Sequence, residues 1–274
     1  MKIAATTISD APGLIREKAK ERAKALAIPY LEREDKLEEM AEKYKAEGFL
    51  IYGRRLPSFK TKDGEYHFHL GTSVLRTRQI LAGNEDRLCR LLPKEGPCRV
   101  LDCTFGHAND STTISWFLGD RGSVTALEKS TALYEIGRAG IESYQDKDPA
   151  LTDAVRRIYL IHADFKEYLK NIPEKSFDVV YFDPMFRHPV QAKVNDMTGF
   201  REAAAYDKLD DETILLAMRA ARARVIVKER PFSLLFKKDF FTRIEAKKGQ
   251  TTAYGALWPF QYPFPCRPGM HRRK

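Results

Sequence analysis

The sequence predicts an α/β protein: a doubly wound, Rossmann-like, mostly parallel sheet preceded by a small α+β unit. Three observations carry the prediction. From Cys98 onward, short apolar runs alternate with helical patterns, as parallel strands joined by crossover helices require. Before about residue 75 the order differs, with two charged helical stretches followed by short strands. The apolar runs of the second part also lead into acids, at Asp102, Glu128, Asp164 and Asp183, where open α/β sheets bind their ligands.

Taken in order, residues 12–27 carry Leu14, Ala19, Ala23 and Leu26 near helical spacing, and residues 34–45 repeat the style with Leu37, Met40 and Tyr44. Ala27-Ile28-Pro29 breaks the chain between these two expected helices. Phe49 to Tyr52 reads as a strand ended by Gly53, and Glu65 to Leu70 alternates as a half-buried strand. Together they form an N-terminal unit over residues 1–75, followed by a connecting helix at 76–92 within a linker that runs to 97. Five parallel strands are expected at Cys98 to Cys103, Ser123 to Leu127, Ile158 to His162, Phe177 to Phe182 and Arg224 to Lys228. Helices are expected at 108–118, 130–145, 165–171 and 207–221. Phe240 to Ala246 and Thr251 to Trp258 form a terminal hairpin that closes the domain at 98–258. A basic, proline-rich tail covers 259–274, and no internal repeat occurs.

Composition limits the classes of function. The chain has 274 residues, 43% hydrophobic and 31% charged, which suits one large or two smaller globular domains and excludes global disorder. No apolar run nears the roughly 18 residues that span a bilayer, and Asp10 interrupts any signal core, so no membrane is expected and the cytoplasm is. Cys89, Cys98, Cys103 and Cys266 form no Cys-x-x-Cys pair, which argues against a disulfide framework or a thiolate zinc site. His67-x-His69 lacks a third ligand nearby in sequence, so no metal is expected. The formal charge of +9 suits a polyanionic partner, and the basic residues recur at Arg54-Arg55, Arg76-x-Arg78, Lys237-Lys238 and Lys247-Lys248. A solvated surface explains any one of these pairs equally well.

The loop Asp102-Cys103-Thr104-Phe105-Gly106-His107-Ala108-Asn109-Asp110 joins the first parallel strand to a helix. Small residues at Thr104, Gly106 and Ala108 stand where a nucleotide-binding turn usually has glycine; an ordinary strand-to-helix turn is the alternative. Glu128 lies 22 residues beyond Gly106, a spacing that suits a carboxylate accepting from both ribose hydroxyls, and it equally suits a helix cap. Asp164 suits an adenine amine with Phe165 beside the ring, or an N-cap for the following helix. Acids at three strand ends, without a glycine-rich phosphate cradle or a P-loop, favour a nucleoside cofactor that lacks a pyrophosphate. S-adenosylmethionine fits that description better than NAD.

Asp183-Pro184-Met185-Phe186 is the expected site of chemistry. The lone pair of a nucleobase amine is delocalised into its ring. Asp183 and a main-chain carbonyl can accept its two N–H bonds and fix the nitrogen in line with a sulfonium methyl. Pro184 stiffens the turn, and Phe186 offers a face for base stacking. The bland alternative is that Asp-Pro simply ends a strand. Lys228 and Arg230, at the end of the fifth strand, either meet RNA or form a surface salt bridge.

The runs Leu160-Ile161-His162-Ala163, Val179 to Phe186 with His188, and Val225-Ile226-Val227-Lys228 with Arg230-Pro231 resemble the RsmJ family. These are S-adenosylmethionine-dependent guanine-N2 methyltransferases of small-subunit ribosomal RNA. The resemblance covers most of residues 98–232 and implies a class I methyltransferase fold. It puts cofactor contacts on Asn109, Asp110, Glu128, Lys129, Asp164, Phe165 and Asp183. From their positions alone, Phe186, His188, Lys228 and Arg230 are the expected RNA contacts, with capping of a loop as the alternative for His188. The chain departs from the family's turn, Asp-Ala-Thr-Ala-Gly-Leu-Gly-Arg-Asp, in lacking the second glycine and the arginine. The expected function is methyl transfer to an exocyclic amine of structured RNA, guanine N2 foremost. The competing readings are transfer to another nitrogen, in DNA adenine, other RNA or protein, and a non-enzymatic RNA-binding protein on a decayed methyltransferase fold.

Overall fold

Two sheets organise the computed structural model, which describes residues 1–184, 209–238, 241–247 and 249–259. The first has the order β1-β2-β3-β4, from β1 (Ile3–Thr7), β2 (Gly48–Tyr52), β3 (Ser58–Thr61) and β4 (Glu65–His67). β1 and β2 run parallel; the other two pairs are antiparallel. Strand side chains alternate between faces, and β2 shows it. Leu50 and Tyr52 pack with Ala19 and Ala23 of helix α1 (Gly13–Ala25), whereas Phe49 joins Leu37 and Met40 of α2 (Leu37–Tyr44).

The second sheet comprises β5 (Cys98–Asp102), β6 (Gly122–Glu128), β7 (Ile158–His162), β8 (Phe177–Phe182), β9 (Ala221–Glu229), β10 (Arg243–Glu245) and β11 (Ala253–Leu257). Its order is β10-β11-β9-β8-β5-β6-β7. β5, β6, β7, β8 and β9 run parallel, and β11 runs antiparallel to both β9 and β10. Strand order reverses between β5 and β8. A doubly wound sheet opens its ligand crevice at such a switch point.

Helices cover both faces of this sheet. α4 (Asn109–Leu118) and α6 (Pro149–Arg156) pack through Ile114, Leu118 and Val155 on Val100, Val124 and Val179. α7 (Phe165–Asn171) and α8 (Asp211–Ala220) pack through Leu169, Ile214 and Ala217 on Leu101, Val180 and Val225. α5 (Thr131–Ser143) joins the two sheets, because its Ala132, Leu133 and Ile136 enter the core of the first. Its buried Glu135 accepts from Arg22 Nη2 of α1 at 2.7 Å and from the hydroxyl of Tyr52 of β2 at 3.2 Å.

Some expected boundaries move. The helix expected at 76–92 is α3 (Gly71–Leu81), ended where Gly83 takes a φ of +84°, and a short 3₁₀ turn follows at Cys89–Leu91. β4 stops at His67 rather than Leu70. The terminal hairpin forms with Ile244 opposite Gly255, although Phe240 lies outside the described residues. β1, β3 and α6 are additional. β1 is alanine- and threonine-rich without alternation, and β3 is only four residues long. α6 did carry a start signal, because Asp148 caps it and Pro149 occupies its first turn.

Candidate active site

The carboxyl ends of β5, β6, β8 and β9, together with α3, surround a cleft of about 980 Å³. On its β5–β6 side the acids organise the loop. Asp102 is fully buried beneath the cleft; Oδ1 accepts from the Thr104 N–H at 2.9 Å and Oδ2 from the Ser111 hydroxyl at 2.6 Å. Burial lifts its pKa to about 7 against the pull of those two bonds. Direct cofactor contact, expected of Asp102, gives way to holding the Thr104 turn from below. Glu128 does line the cleft. Its Oε2 accepts from the Gly106 N–H at 3.0 Å and its Oε1 from the Ser130 N–H at 2.8 Å.

The turn between them keeps a glycine-type backbone despite its sequence. Gly106 has φ +52° and Ala108 φ +62°, so the second left-handed position is filled by alanine. The missing glycine therefore does not mean a lost turn. Thr104 and Gly106 line the cleft, as does Asn109, whose Oδ1 accepts from the Ser73 N–H of α3 at 2.9 Å. His107, beside them, is half-buried with its ring 5.1 Å from Tyr66 and 5.5 Å from His69. Burial lowers its pKa to about 3, with His69 and Lys228 adding, so it carries no charge at neutral pH.

Asp164 takes the capping alternative. Its Oδ1 accepts from the N–H groups of Lys166 and Glu167 at 2.8 and 3.1 Å, and its Oδ2 pairs with Lys129 Nζ at 2.7 Å. Burial opposes ionisation, yet Lys129 and the two N–H groups hold this carboxyl below the usual range. Lys129 and Phe165, rather than Asp164, border the cleft.

On the β8–β9 side the arrangement is ionic. Lys228 Nζ lies 2.6 Å from Asp183 Oδ2 and 2.9 Å from Asp110 Oδ2. Tyr181 donates its hydroxyl to Asp110 Oδ2 at 2.8 Å. Arg76 of α3 pairs with Asp110 Oδ1, and its remaining nitrogens reach Asp86 at 2.8 and 2.9 Å. Three carboxylates thus face two cations. Burial works against each charge, but Lys228 and Arg76 hold Asp110 well below the usual carboxylate range. The same carboxylates hold the Lys228 ammonium well above its ordinary value against burial. Asp183 is left with the excess. Burial raises it, Lys228 opposes, the Asp110 carboxylate adds, and the outcome is about 6.

Asp183 is also tied to the loop after β5, because its N–H donates to Thr104 Oγ1 at 2.6 Å. Pro184 lines the cleft next to it. Lys228 corrects its expected role: its ammonium is engaged inside the cleft between two acids rather than presented outward to RNA. Asp110, expected to touch cofactor, is the centre of this network. Arg230 sits on the turn leaving β9, its N–H donating to Glu229 Oε1 at 2.7 Å. Phe186 and His188 lie outside the described residues. Arg76, Asp86 and Tyr181 escaped sequence reasoning. Tyr181 looked like strand core, although a phenol in a buried strand needs a polar partner. Arg76 read only as one of a basic pair.

Comparison with known proteins adds independent findings. A family model described as "Putative SAM-dependent methyltransferase" matches residues 62–251. The "Uncharacterized protein YpiP" of Bacillus subtilis is 31% identical over 230 residues, covering 84% of this chain and 89% of that one. A ribosomal RNA small subunit methyltransferase J from Magnetococcus marinus is 30% identical over 212 residues, 72% of this chain and 79% of its own. The match to the protein of that name from Chromobacterium violaceum, at 34% identity, spans 47% of this chain and 50% of that one. Among solved structures, a SAM-dependent methyltransferase from Neisseria gonorrhoeae superposes with a TM-score of 0.62 at 15% identity, over 95% of this chain and 97% of that one. That last likeness is one of fold.

Proposed function

The chain belongs to the SAM-dependent methyltransferases as a divergent RsmJ-like member, and on that premise we propose that it methylates the exocyclic N2 amine of a guanine in small-subunit ribosomal RNA. The observation that carries the reading is Asp183. It ends β8 beside Pro184, bonded through its N–H to Thr104 of the cofactor loop and through its carboxylate to Lys228.

S-adenosylmethionine is the cofactor, and the β5–β6 end of the cleft fits a nucleoside. Both oxygens of Glu128 are oriented by backbone donors at the edge of the cleft, a placement that suits a carboxylate facing a ribose. Phe165 and Leu127 offer apolar surface to an adenine ring, and Lys129 stands beside them. Bound there, the cofactor supplies an electrophilic methyl group on a sulfonium centre.

Asp183 accepts an N–H of the amine and fixes the nitrogen for in-line attack, so positioning supplies most of the acceleration. Its raised pKa also suits it to take the proton that the nitrogen sheds once alkylated. Lys228 holds this carboxylate in one orientation. Phe186 is the proposed stacking face for the base, with His188 and Arg230 as further RNA contacts. A ribosomal substrate puts the protein in the cytoplasm, and no helix among the described residues is long and apolar enough to cross a membrane.

The test is to incubate the protein with methyl-labelled S-adenosylmethionine and unmethylated bacterial small-subunit rRNA, naked and as assembled subunits, then digest to nucleosides for mass spectrometry. The expected product is N2-methylguanosine. Label in another nucleoside, in DNA adenine or in protein replaces the proposed acceptor.

A further inference from the structure

We propose that the outer arm of the cleft, between the loop following α3 and the β10–β11 hairpin, binds the phosphate and base of the nucleotide next to the one methylated. This rests on the RNA reading above. The cavity continues beyond Asp183 past Lys228 and Tyr254, to Gln79, Asn84 and Arg87 on one wall and Lys247 and Gln250 on the other. Its 980 Å³ is at the top of the range of about 300–1,000 Å³ for small-molecule sites. That leaves room for more than a nucleoside cofactor.

The arm is joined to Asp183 by a short series of contacts. Tyr254 of β11 stands directly opposite Lys228 of β9, and such antiparallel partners have Cα atoms about 5 Å apart. The Arg87 guanidinium lies over the Tyr254 ring, 5.3 Å from its centroid. One step from the lysine that holds the acceptor acid therefore reaches a tyrosine, and a second reaches an arginine. That sequence of groups suits a strand running outward from the reacting base.

Charge is arranged in the opposite sense at the two ends of this path. At Asp183 the cations Lys228 and Arg76 are engaged by carboxylates. In the arm it is the carboxylates that are engaged: Asp86 by Arg76, and Glu85 by Arg90 at 2.8 Å. Among the described residues Arg87 donates to neutral oxygens, the carbonyl and hydroxyl of Thr252, at 2.5 and 3.4 Å. No carboxylate among the described residues lies within ion-pair distance of Arg87 or Lys247. A guanidinium steadied on an aromatic face is a planar donor for a phosphate, and Lys247 adds a second positive charge from the facing wall. The amides of Gln79, Asn84 and Gln250 carry both donors and acceptors, as the edge of an unstacked base requires.

The experiment uses the full chain with an in vitro transcript of bacterial small-subunit rRNA, naked and assembled into subunits. Lys247→Ala and Lys247→Glu change an exposed hairpin residue, and Arg87→Lys keeps a cation while removing the fork. Lys247→Ala should raise KM for RNA roughly 3- to 10-fold, with the effect falling on KM rather than kcat. The slope of log binding constant against log salt should flatten by about 0.7, the value for one phosphate contact on a single strand. Lys247→Glu should weaken binding further, and Arg87→Lys should raise KM without flattening the slope. Unchanged KM and slope in both Lys247→Glu and Arg87→Lys would overturn the arm and leave RNA methylation standing. Absence of transfer to RNA by the unaltered protein overturns the RNA reading and the arm with it.

Discussion

At the β5–β6 end of the cleft, Asp102 and Glu128 hold a loop by accepting from backbone N–H groups and a serine hydroxyl. At the β8–β9 end, Asp110 and Asp183 are held by Lys228 and Arg76. The first kind of bonding fixes the shape of a loop through its main-chain donors. The second stores charge where water is scarce, and its strength depends on every member being present. In the proposed function the two ends do different work: one is the cradle for a nucleoside, the other the carboxylate for an amine.

Removing a cation should separate the two ends most. Lys228→Met leaves the buried Asp110 and the part-exposed Asp183 without their shared ammonium and should lower stability by up to about 3 kcal/mol in urea denaturation at neutral pH. Without the ammonium, the pKa values of both acids rise in the folded state. The loss should therefore shrink as pH falls and they protonate, and a pH-independent loss would argue against an electrostatic cause. An intermediate effect is expected at the other end. Glu128→Ala should weaken S-adenosylmethionine binding roughly 10- to 100-fold by calorimetry, as expected for removing an ionised acceptor, with the fold intact.

Acidity gives a gentler contrast. Asp183 must be ionised to accept an amine N–H, and its pKa is raised to about 6. Single-turnover transfer should therefore be full above that pH and fall about tenfold per unit below it. A flat profile from pH 5 to 8 would remove Asp183 from this role. The smallest effect is expected at the turn. Ala108→Gly relieves a left-handed alanine, worth roughly 1–2 kcal/mol, but removes a buried methyl worth about 0.8 kcal/mol and loosens the unfolded chain. Thermal stability should change by less than about 1 kcal/mol, with cofactor affinity unaltered.

The same contrast explains what could be read from the sequence. The bonds that Asp102 and Glu128 make to the loop are local: Thr104 to Asp102, Ser111 to Asp102, Gly106 to Glu128, all within 22 residues. Strand-end acids at fixed distances from one glycine were therefore visible as a pattern. The ionic end joins residues 34, 45, 71 and 118 positions apart. No local signal links Arg76 on a helix of the first half to Asp110, or Lys228 on the fifth parallel strand to Asp183. Sheet order, which sets β9 beside β8 and β8 beside β5, brings Lys228 to Asp183, and the packing of α3 on α4 brings Arg76 to Asp110. The five parallel strands were legible because their apolar runs alternate with helical patterns, and four of them lead into acids. β3 is four residues long and β1 lacks alternation, so neither carries such a signal.

One measurement tests the division most directly: S-adenosylmethionine affinity and single-turnover methyl transfer, both recorded on Asp183→Ala. Affinity should stay within about threefold of the unaltered protein while transfer falls roughly 10²- to 10³-fold, the loss expected for a group acting on the reacting atoms. Retained transfer, or a loss of cofactor affinity that accounts for the whole decrease, would contradict the assignment of Asp183 to the acceptor amine.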